Sequence, residues 1–91
     1  MLIVVSYDVP SDRRRTRLAH ALKDFGGRVQ YSVFECHLDE RALQTLRERI
    51  SRLIDLQEDS VRIYRLCKEY DRLLEVLGTA RRTDDPETYV L

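Results

Sequence analysis

Residues 28–38 read RVQYSVFECHL, a run of strand formers with no glycine, proline, asparagine or aspartate inside it. Its length and composition predict one long strand, bent or bulged near Tyr31-Ser32. A strand here fixes the class of the fold, because helical patterns lie on both sides of it. Upstream, Leu18, Ala21, Leu22 and Phe25 recur at helical spacing and Gly26-Gly27 ends the pattern. Downstream, Asp39 is a cap for a second helix whose apolar stripe is Leu43, Leu46, Ile50, Leu53 and Ile54. Arg41, Glu48 and Arg52 fall on the other side of that helix, an ordinary solvated face.

Further out, the chain begins MLIVVSYD, apolar on both faces as a central strand is, and Val9-Pro10-Ser11 breaks the ladder. Ser11 is positioned to cap the first helix, with Asp12 in its first turn. After the loop Gln57-Glu58-Asp59 a further strand runs from Ser60 through SVRIYRLC. KEYDRLLEVLG fits either a short helix or a returning strand, and periodicity does not choose between them. Residues 81–91 are a charged linker followed by the apolar TYVL, which suits a strand adding to a sheet edge. Residues 1–80 then form one α+β domain of ferredoxin-like type, an antiparallel sheet with two helices on one face.

The balance of the chain excludes several classes. Its 91 residues make a single domain, 43% apolar and 35% charged. Sixteen basic residues against sixteen acidic leave no net charge, so affinity for phosphate must come from local clustering. The opening apolar run is too short for a signal peptide or a membrane span. Cys36 and Cys67 have no metal-ligand spacing and read as reduced core thiols of a cytoplasmic protein. No Gly-rich phosphate loop, CxxC or HExxH pattern is present, so no nucleotide cofactor is implied.

The chemistry gathers around residues 4–17, VVSYDVPSDRRRTR. Asp8 closes the first strand, and two readings of it stand. It is a metal ligand on a rigid element, or it steadies the Val9-Pro10 turn through the backbone. One carboxylate is a poor metal site, so the metal reading implies a homodimer that brings two copies of Asp8 together. Arg13, Arg14, Arg15 and Arg17 stand in the first turns of a helix, where the dipole disfavours positive charge. Arginine forks and free helix amides both suit phosphate, and together they would hold a phosphodiester close to Asp8. By helical angle Arg13, Arg17, His20 and Asp24 share the outer face, while Arg14 lies near the apolar stripe and Arg15 at its flank. Tyr7, Tyr31 and Phe34 suit either the core or base stacking. His20 reads as an exposed helix residue and His37 as a satisfied strand residue, with no Ser-His or Cys-His pair in view.

In order and spacing these motifs resemble a known family. The strand ending in YD, Arg15-Thr16-Arg17-Leu18 in the first helix, QYSVFE after the glycines, then VRIYRL and EVLG are similar to CRISPR-associated protein two, the small adaptation protein of CRISPR immunity. The resemblance covers essentially the whole chain. It implies a ferredoxin-like homodimer whose C-terminal strands cross onto the partner, and it favours a strand for LLEVL. It implies a magnesium-dependent endonuclease, with manganese or another divalent ion as a substitute, acting on single-stranded RNA or double-stranded DNA. Asp8 falls on the family's metal ligand. Tyr7, Arg15, Arg17, Arg28 and Phe34 fall on its phosphate-binding or site-supporting positions, whereas Arg13 and Arg14 rest on charge alone. It also implies a partnership with dimers of the CRISPR integrase on duplex DNA being inserted as a spacer. Two alternatives accompany it: a non-catalytic DNA-binding scaffold, and a toxin-type ribonuclease on the same fold.

Overall fold

The computed structural model describes residues 1–66 and 75–78. The elements run β1 (Leu2–Asp8), α1 (Asp12–Leu22), β2 (Gly27–Gln30), β3 (Val33–His37), α2 (Glu40–Leu53) and β4 (Ser60–Leu66). They form one four-stranded sheet in the order β2-β3-β1-β4, antiparallel throughout. This βαββαβ order, with each helix crossing over a strand inserted between its neighbours, is the ferredoxin-like arrangement expected above.

The stretch at 28–38 is a hairpin and not one long strand. Gln30 pairs with Val33, so Tyr31-Ser32 reverses the chain in two residues. No non-glycine residue in the described segments has positive φ, so this is not one of the primed turns whose twist matches a hairpin. An irregularity between Arg28 and Gln30 leaves Val29 as an extra residue and takes up the mismatch. With only Ser32 as a weak turn signal and no glycine, proline, asparagine or aspartate, the sequence shows a bend there and not the reversal.

β1 sits at the centre, with β3 on one side and β4 on the other. Its Ile3, Val5 and Tyr7 face the helices and are nearly inaccessible to solvent. They meet Leu18, Ala19 and Leu22 of α1, Phe34 and Cys36 of β3, and Leu43, Leu46 and Ile50 of α2. Ser11 caps α1 by accepting a hydrogen bond from the Arg14 amide, and Asp39 caps α2 by accepting one from Ala42, as the residue types foretold. Arg49 bridges to Asp24 at 2.7 Å, tying α2 to the segment that follows α1.

The glycine stop works differently from a left-handed cap. α1 ends at Leu22, and Gly26 comes four residues later with an ordinary negative φ. A Cβ at Gly26 would lie 2.2 Å from the Glu35 carbonyl oxygen and 2.8 Å from Cys36 Cα. Glycine is needed there because the chain passes against β3. Glu75–Leu77 form neither helix nor strand. The remainder of the ambiguous segment, Cys67, and residues 81–91, where a linker and an exchanged strand are expected, lie outside the described residues. No helix among the described residues is long and apolar enough to cross a membrane.

Candidate nucleic-acid and metal site

Strand alternation places Asp8 at the surface. Along β1 the core residues Ile3, Val5 and Tyr7 pack toward the helices, so Asp8 shares the parity of Leu2, Val4 and Ser6, on the other sheet face, where Leu2 is buried, Val4 and Ser6 are half-buried and Asp8 is exposed. Its side chain is exposed and makes no hydrogen bond or ion pair among the described residues. The Val9-Pro10 turn is braced instead by Arg15, whose Nη1 donates to the Val9 carbonyl at 2.9 Å and to that of Pro10 at 3.5 Å.

A single exposed carboxylate on a rigid strand would need further oxygen donors to hold a hard cation. Magnesium takes one or two carboxylates and completes its shell with water and phosphate oxygens. Among the described residues no group of three or more His, Cys, Asp or Glu side chains comes together. An exposed carboxylate is an oxygen donor of the kind that hard cations take.

The arginines of α1 divide into two pairs. Arg14 turns inward and forks onto Asp59, with Nε to Oδ2 at 2.8 Å and Nη2 to Oδ1 at 3.0 Å. The Asp59 side chain is wholly buried, and it also accepts a hydrogen bond from the Asp55 amide at 2.8 Å. The hydrogen bond from Arg14 holds the Asp59 carboxyl below the usual carboxylate range, and Asp59 in turn raises Arg14. Arg14 is thus a clamp between α1 and the α2–β4 loop. Its neighbour Arg15 also bonds Asp12, the first cause of its raised pKa, with the Tyr31 hydroxyl a lesser one. Arg13 and Arg17 are exposed and have no ion-pair partner among the described residues. These internal partners answer the dipole problem, since half of the cluster is neutralised where it stands.

Both aromatic candidates in the strands are core. Phe34 is fully buried and Tyr7 nearly so, their ring centroids 6.4 Å apart at 27°, which removes them as base-stacking surfaces. They support the site instead. The Tyr7 amide donates to the Ser32 carbonyl at 3.1 Å and its hydroxyl to that of Tyr31 at 3.4 Å, pinning the hairpin turn. Arg28 lies over the Phe34 ring, its guanidinium carbon 5.3 Å from the centroid.

Between α1 and the β2–β3 hairpin lies a groove of about 280 Å³. Arg15, Thr16, His20 and Lys23 line it from the helix, and Arg28 and Tyr31 from the hairpin, with Tyr7 and Ala19 beneath. Sequence reasoning did not assemble it. Thr16, His20 and Lys23 repeat at helical spacing, a usable signal, but their union with Arg28 and Tyr31 requires a hairpin that strand propensity disguises as one strand. Nor does the groove coincide with Asp8, whose strand parity is opposite to that of Tyr7.

The family model described as CRISPR associated protein Cas2 matches residues 1–73. A Thermus thermophilus protein named CRISPR-associated endonuclease Cas2 2 is 49% identical, over 99% of this chain and 96% of its own. A Chloroflexus aurantiacus protein named CRISPR-associated endoribonuclease Cas2 3 is 41% identical, over 100% of this chain and 98% of its own. Among solved structures, Streptococcus pyogenes Cas2 superposes with a TM-score of 0.75 at 36% identity, covering 86% of this chain and all of that one. A chain of a partial Cas6-RT-Cas1–Cas2 complex superposes with a TM-score of 0.64 at 28% identity, covering 84% of this chain and 89% of that one.

Proposed function

The chain belongs to the CRISPR-associated protein Cas2 family, and from that membership we propose that it serves CRISPR adaptation as a magnesium-dependent endonuclease working as a homodimer. The observation that carries the catalytic part is Asp8. It is an exposed carboxylate with no described intramolecular partner, fixed at the end of the central strand. Two copies, one from each subunit, supply the carboxylates that a single chain lacks, and a cation between them relieves their repulsion.

Asp8 of each subunit would hold magnesium, or manganese in its place, and the ion would supply an acidified water and an offset to charge developing on the phosphate. The protein's own groups hold the strand. Arg13 and Arg17 reach backbone phosphates from the outer face of α1, and Arg28 does so from the hairpin. Tyr7 and Phe34 keep the hairpin and Arg28 in place. The substrate is single-stranded RNA, duplex DNA or both, in keeping with relatives named endoribonuclease and endonuclease.

One observation favours a second reading, a scaffold that binds duplex DNA beside the integrase without cutting it. Arg13 and Arg17 offer exposed charge on one helix face, a simple device for tracking a phosphate backbone. The likeness to a chain in a complex containing Cas1 supports the integrase as partner in either reading.

Replacing Asp8 with alanine separates them. Magnesium-dependent cleavage of RNA and duplex DNA should fall at least about a hundredfold, with manganese binding weakened in parallel. Spacer acquisition beside the integrase is measured with the same variant. Lost cleavage with lost acquisition supports a nuclease in use, and lost cleavage with intact acquisition supports the scaffold. Unchanged cleavage would remove Asp8 from the metal site.

A further inference from the structure

We propose that the groove between α1 and the β2–β3 hairpin is a seat for one unpaired nucleotide, so that the protein holds single-stranded and duplex nucleic acid on separate surfaces. The inference rests on the nucleic-acid reading above and adds to it a site and a substrate form.

Charge is the first argument. Arg15, Lys23 and Arg28 line the groove, Thr16 and His20 add hydrogen-bonding groups, and no acidic side chain is among the lining residues. Arg15 has other partners, but Lys23 has no ion-pair partner among the described residues, and Arg28 rests only on the Phe34 ring. Unneutralised cations facing one another across a groove repel unless an anion joins them. They stand on separate elements, so the opposing charge belongs to the tertiary fold and not to one helix face.

Shape and surface chemistry narrow the anion. The groove's volume of about 280 Å³ is near the lower end of small-molecule sites and suits one nucleotide unit. The phosphates of a duplex lie on its convex outside and suit protruding side chains such as Arg13 and Arg17. Tyr31, at the tip of the hairpin, is 71% exposed, an aromatic ring with little of its surface buried against the protein. A ring beside cations is the usual platform for an unpaired base, whose face is closed off by stacking within a duplex. The phosphate then lies on Lys23 and Arg28, and the base against Tyr31. Phosphate and base face are common to RNA and DNA, so single strands of both share this chemistry.

The test measures binding of fluorescent oligothymidylate and oligouridylate of about ten nucleotides, and of a DNA duplex of equal length. It uses the wild-type protein, Lys23→Gln, Tyr31→Ala and the double variant Arg13→Gln/Arg17→Gln, in EDTA so that nothing is cut. Lys23→Gln and Tyr31→Ala should each weaken both single strands about tenfold and the duplex less than about twofold. The double variant should weaken the duplex more than either single strand. Tyr31 and Lys23 are both exposed, and unchanged thermal midpoints show that the fold persists. Single-strand affinity untouched by both groove variants overturns the proposal, as does an equal loss for single strand and duplex. Loss of single-strand binding to inorganic phosphate competition alone, with Tyr31→Ala silent, reduces the groove to an anion site and overturns the base platform. A wild-type protein that binds neither form defeats the nucleic-acid reading itself, an outcome distinct from variants that bind like wild type.

Discussion

The corner where β1 meets α1 and the groove where α1 meets the hairpin are both rich in cations, but they use them in opposite ways. At the corner Arg14 is neutralised by Asp59, and Arg15 by Asp12 and two carbonyl oxygens. In the groove Lys23 and Arg28 have no such partners among the described residues. A dense run of arginine in the sequence thus marks, in part, where the fold is fastened. The cations free for a ligand here lie outside that run, Lys23 at an unremarkable position and Arg28 at one singled out only by resemblance, and they meet only through the fold. The clearest ways to break this contrast act on the fastening of each region in turn.

The largest effect is expected under the groove. Gly26 passes so close to β3 that an added Cβ meets the Glu35 carbonyl at 2.2 Å, a backbone contact that no side-chain rotation relieves. Gly26→Ala should destabilise by about 3 kcal/mol, the upper end for overpacking, lowering the thermal midpoint by roughly 15 °C. The hairpin must shift from α1 to make room, so single-strand binding should fall further than duplex binding. A midpoint within about 2 °C of wild type would mean that the hairpin does not hold this close approach.

At the corner, Asp59→Ala leaves Arg14 without its fork and should lower the midpoint by about 10 °C. Nucleic-acid affinity, measured well below that midpoint, should stay within about twofold, because Arg14 belongs to the fold. The clamp also carries a pH signature. The Asp59 carboxyl is held below its unfolded pKa, chiefly by the hydrogen bond from Arg14. Its contribution is therefore fully present above the ordinary carboxylate range and is lost as pH falls through the lowered folded value. Wild-type protein should lose stability on acidification more steeply than Asp59→Asn does, as followed by thermal melts across the acid range. Equal slopes would show that the pair has no part in acid unfolding.

Much of the architecture was legible because it rests on local signals. Ser11 and Asp39 announced both helix starts, the apolar spacing of Leu43, Leu46 and Ile50 announced a buried face, and the strand ending at Asp8 announced a rigid carboxylate. The sequence marked a bend at Tyr31-Ser32 but not a full reversal, because that turn lacks the glycine, asparagine or proline that announces one and the register is adjusted by an extra residue at Val29. That one error also concealed the groove, since a single long strand gives Arg28 and Tyr31 no reason to face Lys23. Asp59 escaped notice for a different reason. A loop acid forty-five residues from Arg14 carries no local mark of its partner. Helical angle did separate Arg14 from Arg13 and Arg17, and the structure shows why the separation mattered.

Arg15 belongs to both regions, so it tests the contrast with the smallest change. Its Nη1 and Nη2 brace the corner, and the same side chain forms part of the groove wall. Lysine at this position keeps the charge but lacks the fork that spans Val9, Pro10 and Asp12 at once. Arg15→Lys should therefore lower the midpoint by a few degrees while leaving single-strand affinity within about twofold. Arg15→Gln should lower the midpoint by a similar amount and weaken the single strand further, because the charge is gone as well. If the lysine variant instead keeps full stability and loses binding, the fork serves the ligand and not the turn. The corner and the groove would then be one phosphate-binding surface that begins at Val9.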